Sequence, residues 1–186
     1  MNKFKFLLKY ILKPRSVGAV LPSSKYLANK MIKNINFDDA QYIVEYGPGT
    51  GVFTDKILQQ RKKNTVLLTI ERDAQFYKLL KEKYKDESGV YVVNDSAENI
   101  GSLLQEYDIP NADYIVSGLP FASLPRDVSA AILTQTQKCL KSGGRFITFQ
   151  YTLLLKDMLM SYFHETIIER ELRNVPPAYV FCCTKK

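Results

Sequence analysis

The chain of 186 residues is poor in the side chains on which much enzyme chemistry depends: it has one histidine, His164, and three cysteines, Cys139, Cys182 and Cys183. Thiols so few and so spaced form neither a disulfide framework nor a zinc knuckle, so a reduced interior without a bound metal is expected. A Ser-His-Asp or Cys-His centre would rest on His164 alone, and no nucleophile motif surrounds it. Cys182 and Cys183 point to opposite faces if the C-terminal run is a strand, which gives both a structural place. No Gly-Lys-Ser/Thr sequence is present, so a P-loop is excluded. Low-complexity tracts and internal repeats are missing too, and one domain is the expectation for this length.

Acidic residues are absent from the first 33 positions, which hold Lys3, Lys5, Lys9, Lys13, Arg15, Lys25, Lys30 and Lys33. The rest of the chain carries 18 basic and 19 acidic side chains, so the whole excess of the net +7 belongs to this segment. Within residues 3–13, Phe4, Leu7, Leu8, Ile11 and Leu12 share one helical face and Lys5, Lys9 and Lys13 gather opposite. Lysines interrupt the apolar run and no small-residue cleavage site follows, so neither a membrane span nor a signal peptide is expected. Such a basic amphipathic helix suits an anionic membrane surface, with phosphate contacts to RNA or packing on the body of the protein as alternatives. The reading is of residues 1–33 as an N-terminal segment and 34–186 as the main domain, cytoplasmic and peripheral on the inner face of the membrane.

From Gln41 onward, strand-like runs alternate with helical spacing, the pattern of a parallel sheet covered by helices. Strands are expected over residues 42–46, 66–71, 90–94, 114–117, 145–151, 165–172 and 179–184. Helices are expected over 54–60, 74–83, 100–105, 128–139 and 154–162, with another starting near Lys25 and capped by Ser23 or Ser24. The Asn174-Val175-Pro176-Pro177 turn is too short for a crossover, so the last two strands should form an antiparallel hairpin at a sheet edge.

Glu45-Tyr46-Gly47-Pro48-Gly49-Thr50-Gly51 lies where the first strand ends. Its glycines let the backbone turn sharply and approach a ligand at the carboxyl end of the sheet. Glu71 ends the second strand and can accept both hydroxyls of a ribose, with Arg72 beside it. Asn94-Asp95-Ser96-Ala97 follows the third strand, placed so that Asp95 meets an adenine amino group and Ala97 lies near the ring. The glycine spacing resembles the Glu-x-Gly-x-Gly-x-Gly motif of class I S-adenosylmethionine-dependent methyltransferases rather than the dinucleotide fingerprint. The resemblance implies an α/β, Rossmann-like fold: a seven-stranded, mostly parallel sheet with helices on both faces and a C-terminal antiparallel hairpin. It also implies S-adenosyl-L-methionine as cofactor, held by Glu45, Gly47, Gly49, Gly51, Glu71, Arg72, Asp95, Ser96, Ala97 and Ser117.

The fourth strand ends in Ser117-Gly118-Leu119-Pro120-Phe121, at the switch point of the sheet. This stretch resembles a variant of the Asn-Leu-Pro-Tyr motif of amino methyltransferases, including the ribosomal RNA adenine dimethyltransferases. Ser117 or Gly118 stands where those enzymes carry Asn, and this removes the amide that grips an adenine amine. A fuller resemblance is to the bacterial phospholipid N-methyltransferases that methylate phosphatidylethanolamine. It is carried by 14–24, 44–54, 116–125 and the 174–178 turn, and implies that 15–24 folds over the cofactor mouth. On this reading Ser117, Gly118 and Leu119 offer carbonyls to an amine and Phe121 offers an aromatic wall. Tyr10, Tyr26 and Tyr151 are open candidates for a base. An adenine-methylating enzyme, a small-molecule amine methyltransferase and a catalytically silent cofactor-binding module are the alternatives.

Overall fold

A computed structural model describes residues 24–186. The basic helix expected over 3–13, Tyr10, Ser23 and all but Ser24 of the stretch expected to cover the cofactor mouth lie outside the described residues. The first element, α1 (Lys25–Ile32), is capped by Ser24, whose Oγ accepts from the Leu27 amide at 3.2 Å. Its Leu27, Ala28, Met31 and Ile32 are buried, so the helix is built into the body of the domain.

The remaining order is β1 (Tyr42–Tyr46), α2 (Val52–Gln60), β2 (Val66–Ile70), α3 (Ala74–Lys83), β3 (Val90–Val93), α4 (Ile100–Glu106), β4 (Ala112–Ser117), α5 (Arg126–Cys139), β5 (Leu140–Gln150), α6 (Lys156–Tyr162), β6 (Glu165–Glu171) and β7 (Ala178–Thr184). The strands form one sheet in the order β3-β2-β1-β4-β5-β7-β6. The first five run parallel, and β7 lies antiparallel between β5 and β6. The sequence reading of a mostly parallel, Rossmann-like α/β sheet with a C-terminal hairpin therefore holds. The order reverses between β1 and β4, which opens a crevice at their carboxyl ends.

Two cores flank the sheet, because side chains alternate along each strand. One holds Val44, Ile115, Phe146 and Cys183 with Leu103, Leu133 and Leu159 from α4, α5 and α6. The other holds Ile43, Val116, Ile147 and Cys182 with α1 and Ile57 of α2. Cys182 and Cys183 thus fall in opposite cores, and burial raises both thiols above their ordinary range.

Most element bounds differ from the sequence expectation by one or two residues, and the starts of α5, α6 and β5 have identifiable causes. α5 begins at Arg126 because Pro125 presets its entry. α6 begins at Lys156, after Leu153 and Leu154 have turned outward. β5 reaches back to Leu140 through Gly143, whose φ of +73° hides the strand from a pattern of apolar alternation.

Candidate active site

The turn after β1 brings its three glycines to positive φ, +60° at Gly47, +57° at Gly49 and +84° at Gly51. They need glycine for different reasons. A Cβ on Gly47 would press on the Leu119 side chain, and one on Gly51 would overlap the Tyr84 hydroxyl. A Cβ on Gly49 would meet nothing within 4 Å among the described residues, so this position faces open space between them. Tyr84, at the end of α3, places its hydroxyl 2.7 Å from Asp55 and 3.1 Å from the Gly51 carbonyl, which share its one proton, and so pins the turn. Nothing in the local sequence pattern marks Tyr84 for this duty.

Glu71 is buried at the end of β2, where its Oε2 accepts from the Gly49 amide at 3.0 Å and its Oε1 from the Asp73 amide at 2.9 Å. The carboxylate is thereby fixed at the edge of the open space, with lone pairs left over. Asn94 ties the next strand in, donating to the carbonyls of Glu71 and Arg72 at 2.8 and 3.1 Å. Asp95 Oδ1 accepts from Ser96 N and Asn99 Nδ2, and Ser96 Oγ donates to Glu98. Ala97 is buried, whereas Arg72 is exposed and contributes its carbonyl here. The structure thus brings Gly49, Glu71 and the 94–97 turn to one end of three adjacent strands.

Glu45 is fully buried under the turn. Its Oε2 accepts from Thr54 Oγ1 at 2.6 Å, and Oε1 has no hydrogen-bond partner among the described residues. Burial pushes its carboxyl up to about 8, with the Thr54 hydrogen bond opposing and the charges of Asp55 and Glu71 adding. An orphaned buried oxygen, the open space at Gly49 and a fixed carboxylate make a cradle that fits a nucleoside carrying a cationic tail.

The other side of the crevice is built by buried side chains. Gly118 donates its amide to the Tyr46 carbonyl at 2.8 Å, and a Cβ there would run into the Gly47 carbonyl, so the ends of β1 and β4 lie back to back. Ser117 is fully buried; its Oγ accepts from the Leu119 amide and its carbonyl from Thr148. The Leu119 carbonyl is filled by the Phe121 amide and by Gln150 Nε2, at 3.0 and 3.2 Å. Of the three carbonyls expected to face an amine, only that of Gly118 has no donor among the described residues. The Phe121 ring, expected as an aromatic wall to the acceptor, is buried and meets Phe146 edge-on with centroids 5.9 Å apart, so it packs in the core.

Gln150, the last residue of β5, was not legible in the sequence. Buried, it donates to the Leu119 carbonyl and accepts from Ala122 N at 3.4 Å, so one amide clamps both ends of the loop. Ser123 Oγ and Thr152 Oγ1 are also buried at this end without partners among the described residues. Burial raises the Tyr151 hydroxyl above its ordinary value, opposed by a hydrogen bond with Asn174, which disfavours it as a proton acceptor. Tyr26 lies instead under the Arg173 guanidinium at 4.3 Å. Among the described residues, no group of three or more His, Cys, Asp or Glu side chains is arranged to hold a metal ion.

The family described as ribosomal RNA adenine dimethylase matches residues 18–172. The chain is 30% identical over 182 residues to an ornithine lipid N-methyltransferase of Singulisphaera acidiphila, covering 97% of this chain and 94% of that one. It is 29% identical over 133 residues to ribosomal RNA small subunit methyltransferase A of Borrelia garinii, covering 67% of this chain and 44% of that one. Its fold superposes on a T. thermophilus 16S rRNA N2 G1207 methyltransferase solved with AdoMet and guanosine, with a TM-score of 0.68, 17% identity and coverage of 92% and 45%.

Proposed function

The chain belongs to the ribosomal RNA adenine dimethylase family and is an S-adenosylmethionine-dependent methyltransferase, and we propose that its acceptor is the amine of a membrane lipid headgroup such as phosphatidylethanolamine. The observation that carries this reading is Ser117. It replaces the gripping amide, and its hydroxyl is buried and turned onto the Leu119 amide, so no side chain there holds a planar adenine amine. The match to the ornithine lipid enzyme, which spans both chains almost end to end, supports the same choice.

The cofactor supplies a methyl group on a sulfonium, transferred by in-line displacement. We assign the ribose hydroxyls to Glu71, the adenine to Asp95, Ser96 and Ala97, and the close backbone approach to Gly47, Gly49 and Gly51, with Glu45 beneath. The Gly118 carbonyl accepts a hydrogen bond from the acceptor amine and so aims its lone pair. Gln150 holds Leu119 and Ala122, which keeps that carbonyl in place. A free amine near pKa ~10 is mostly protonated at neutral pH. Removal from water as the headgroup enters lowers that pKa and favours the neutral nucleophile. Position and desolvation then do the work, in keeping with displacement chemistry.

Radiolabelled S-adenosylmethionine offered to vesicles with and without phosphatidylethanolamine or ornithine lipid, beside unmethylated ribosomal RNA, tests the reading. Label that enters the lipid phase only when an aminolipid is present is the expected result. Label entering RNA alone would overturn the lipid assignment in favour of an adenine-methylating enzyme.

A further inference from the structure

Among the described residues, the three most exposed large apolar side chains are Leu154, Val175 and Leu172, at 82%, 73% and 64%. All three stand at one end of the sheet. Leu154 follows β5, and Leu172 and Val175 lie in the turn joining β6 to β7, whose start pairs with the end of β5 through Gln150 and Tyr179. Leu153 and Tyr26 extend the same surface. The start of α1 and the turn between β6 and β7 are fastened together: Asn174 Oδ1 accepts from the Ser24 amide at 3.1 Å, and Arg173 covers the Tyr26 ring.

The tip carries a small positive excess: Lys25 and Lys156 form no ion pair among the described residues, while Arg173 is paired with Glu171. Lys25, Lys156 and Arg173 are exposed, against Asp157 as the exposed acid of residues 24–26, 150–157 and 171–177. Glu171 is buried there and paired with Arg173 and Lys30. Leu153, Leu154, Leu172 and Val175 stand out from two turns at this end with Lys25 and Lys156 nearby, an arrangement that suits insertion into an anionic interfacial layer. The tip also adjoins the acceptor loop, since Gln150, four residues before Leu154, holds Leu119.

We propose that the tip formed by Leu153, Leu154, Leu172 and Val175 docks the protein on an anionic lipid bilayer, presenting the acceptor loop to headgroups that stay in the membrane. This rests on the lipid-acceptor reading, and it gives the described part of the chain a membrane contact independent of residues 3–13. Lys25 and Lys156 meet the negative surface, and the leucines and valine enter the acyl boundary.

The test is flotation of the full chain with vesicles of phosphatidylcholine and phosphatidylglycerol, which contain no aminolipid. Changing Leu154, Leu172 and Val175 together to Asp should lower vesicle affinity at least about tenfold. S-adenosylmethionine affinity should stay unchanged, which verifies the fold, and Leu79→Asp, exposed on α3 away from the tip, should bind vesicles as the wild type does. Wild-type affinity in the triple variant, or no vesicle binding by the wild-type protein, would overturn the proposal. Vesicle binding that depends on the tip, with no label entering any aminolipid, would uphold the docking surface and defeat the acceptor assignment alone.

Discussion

The two sides of the crevice are made differently. On the side of β1, β2 and β3, the site consists of backbone: glycines at positive φ, amides turned onto Glu71, and carbonyls tied by Asn94. On the side of β4, β5 and the terminal hairpin, it consists of buried side chains that meet across long stretches of chain, such as Gln150 with Leu119 and Asn174 with Ser24. Backbone geometry suits a constant cofactor, because a turn is fixed by few residues and tolerates few changes. Side-chain packing suits a varying acceptor, because the same loop can be re-aimed by a residue on another strand.

The largest effect that would sharpen this contrast concerns Glu45. Its carboxyl is pushed up to about 8 from 4.5, so between those values the folded state holds a proton that the unfolded chain has lost. The stability this contributes is full below about pH 4.5, declines as pH rises toward 8 and then levels off. Glu45→Gln should flatten that decline in urea unfolding of the cofactor-free protein at pH 5 and pH 8.5; equal declines in both proteins would show that the group is not buried as described.

Next comes Phe121→Ala, expected to cost about 3–5 kcal/mol of stability through the cavity left beside Phe146. A fully stable variant in the same urea titration, with methylation lost, would return Phe121 to the acceptor and break the contrast. Gly49→Val should then weaken cofactor binding about 100-fold or more, since it strains a positive φ and fills the space above the turn. Gly143→Val is its matched control: it too has positive φ and nothing within 4 Å of a Cβ, so it should lose stability but no cofactor affinity by calorimetry. The smallest effect is that of Gln150→Leu, expected to lower kcat about tenfold with cofactor affinity intact. A change in cofactor affinity instead would mean that the two sides of the crevice are not separable.

The cofactor side was readable because its parts are short and contiguous. A strand, three glycines at a spacing of two, and a carboxylate ending the next strand each declare themselves within a few residues. On the acceptor side the sequence located the loop, but it offered Ser117, Leu119 and Phe121 as contacts, whereas their polar atoms are paired or their rings buried. Gln150 and Tyr84 look like an ordinary strand end and an ordinary helix end until their partners 31 and 33 residues away are known.

By itself, then, the sequence determined the alternation of strands and helices, the terminal hairpin, the glycine turn and the placement of Glu71, because local periodicity and backbone freedom set these. Only the tertiary structure decided that Phe121 turns into the core, that Ser117 closes on its own loop and that Gln150 clamps the loop in place. Within a strand, side-chain direction follows from a period of two, but in a loop it is chosen by whatever distant residues pack against it.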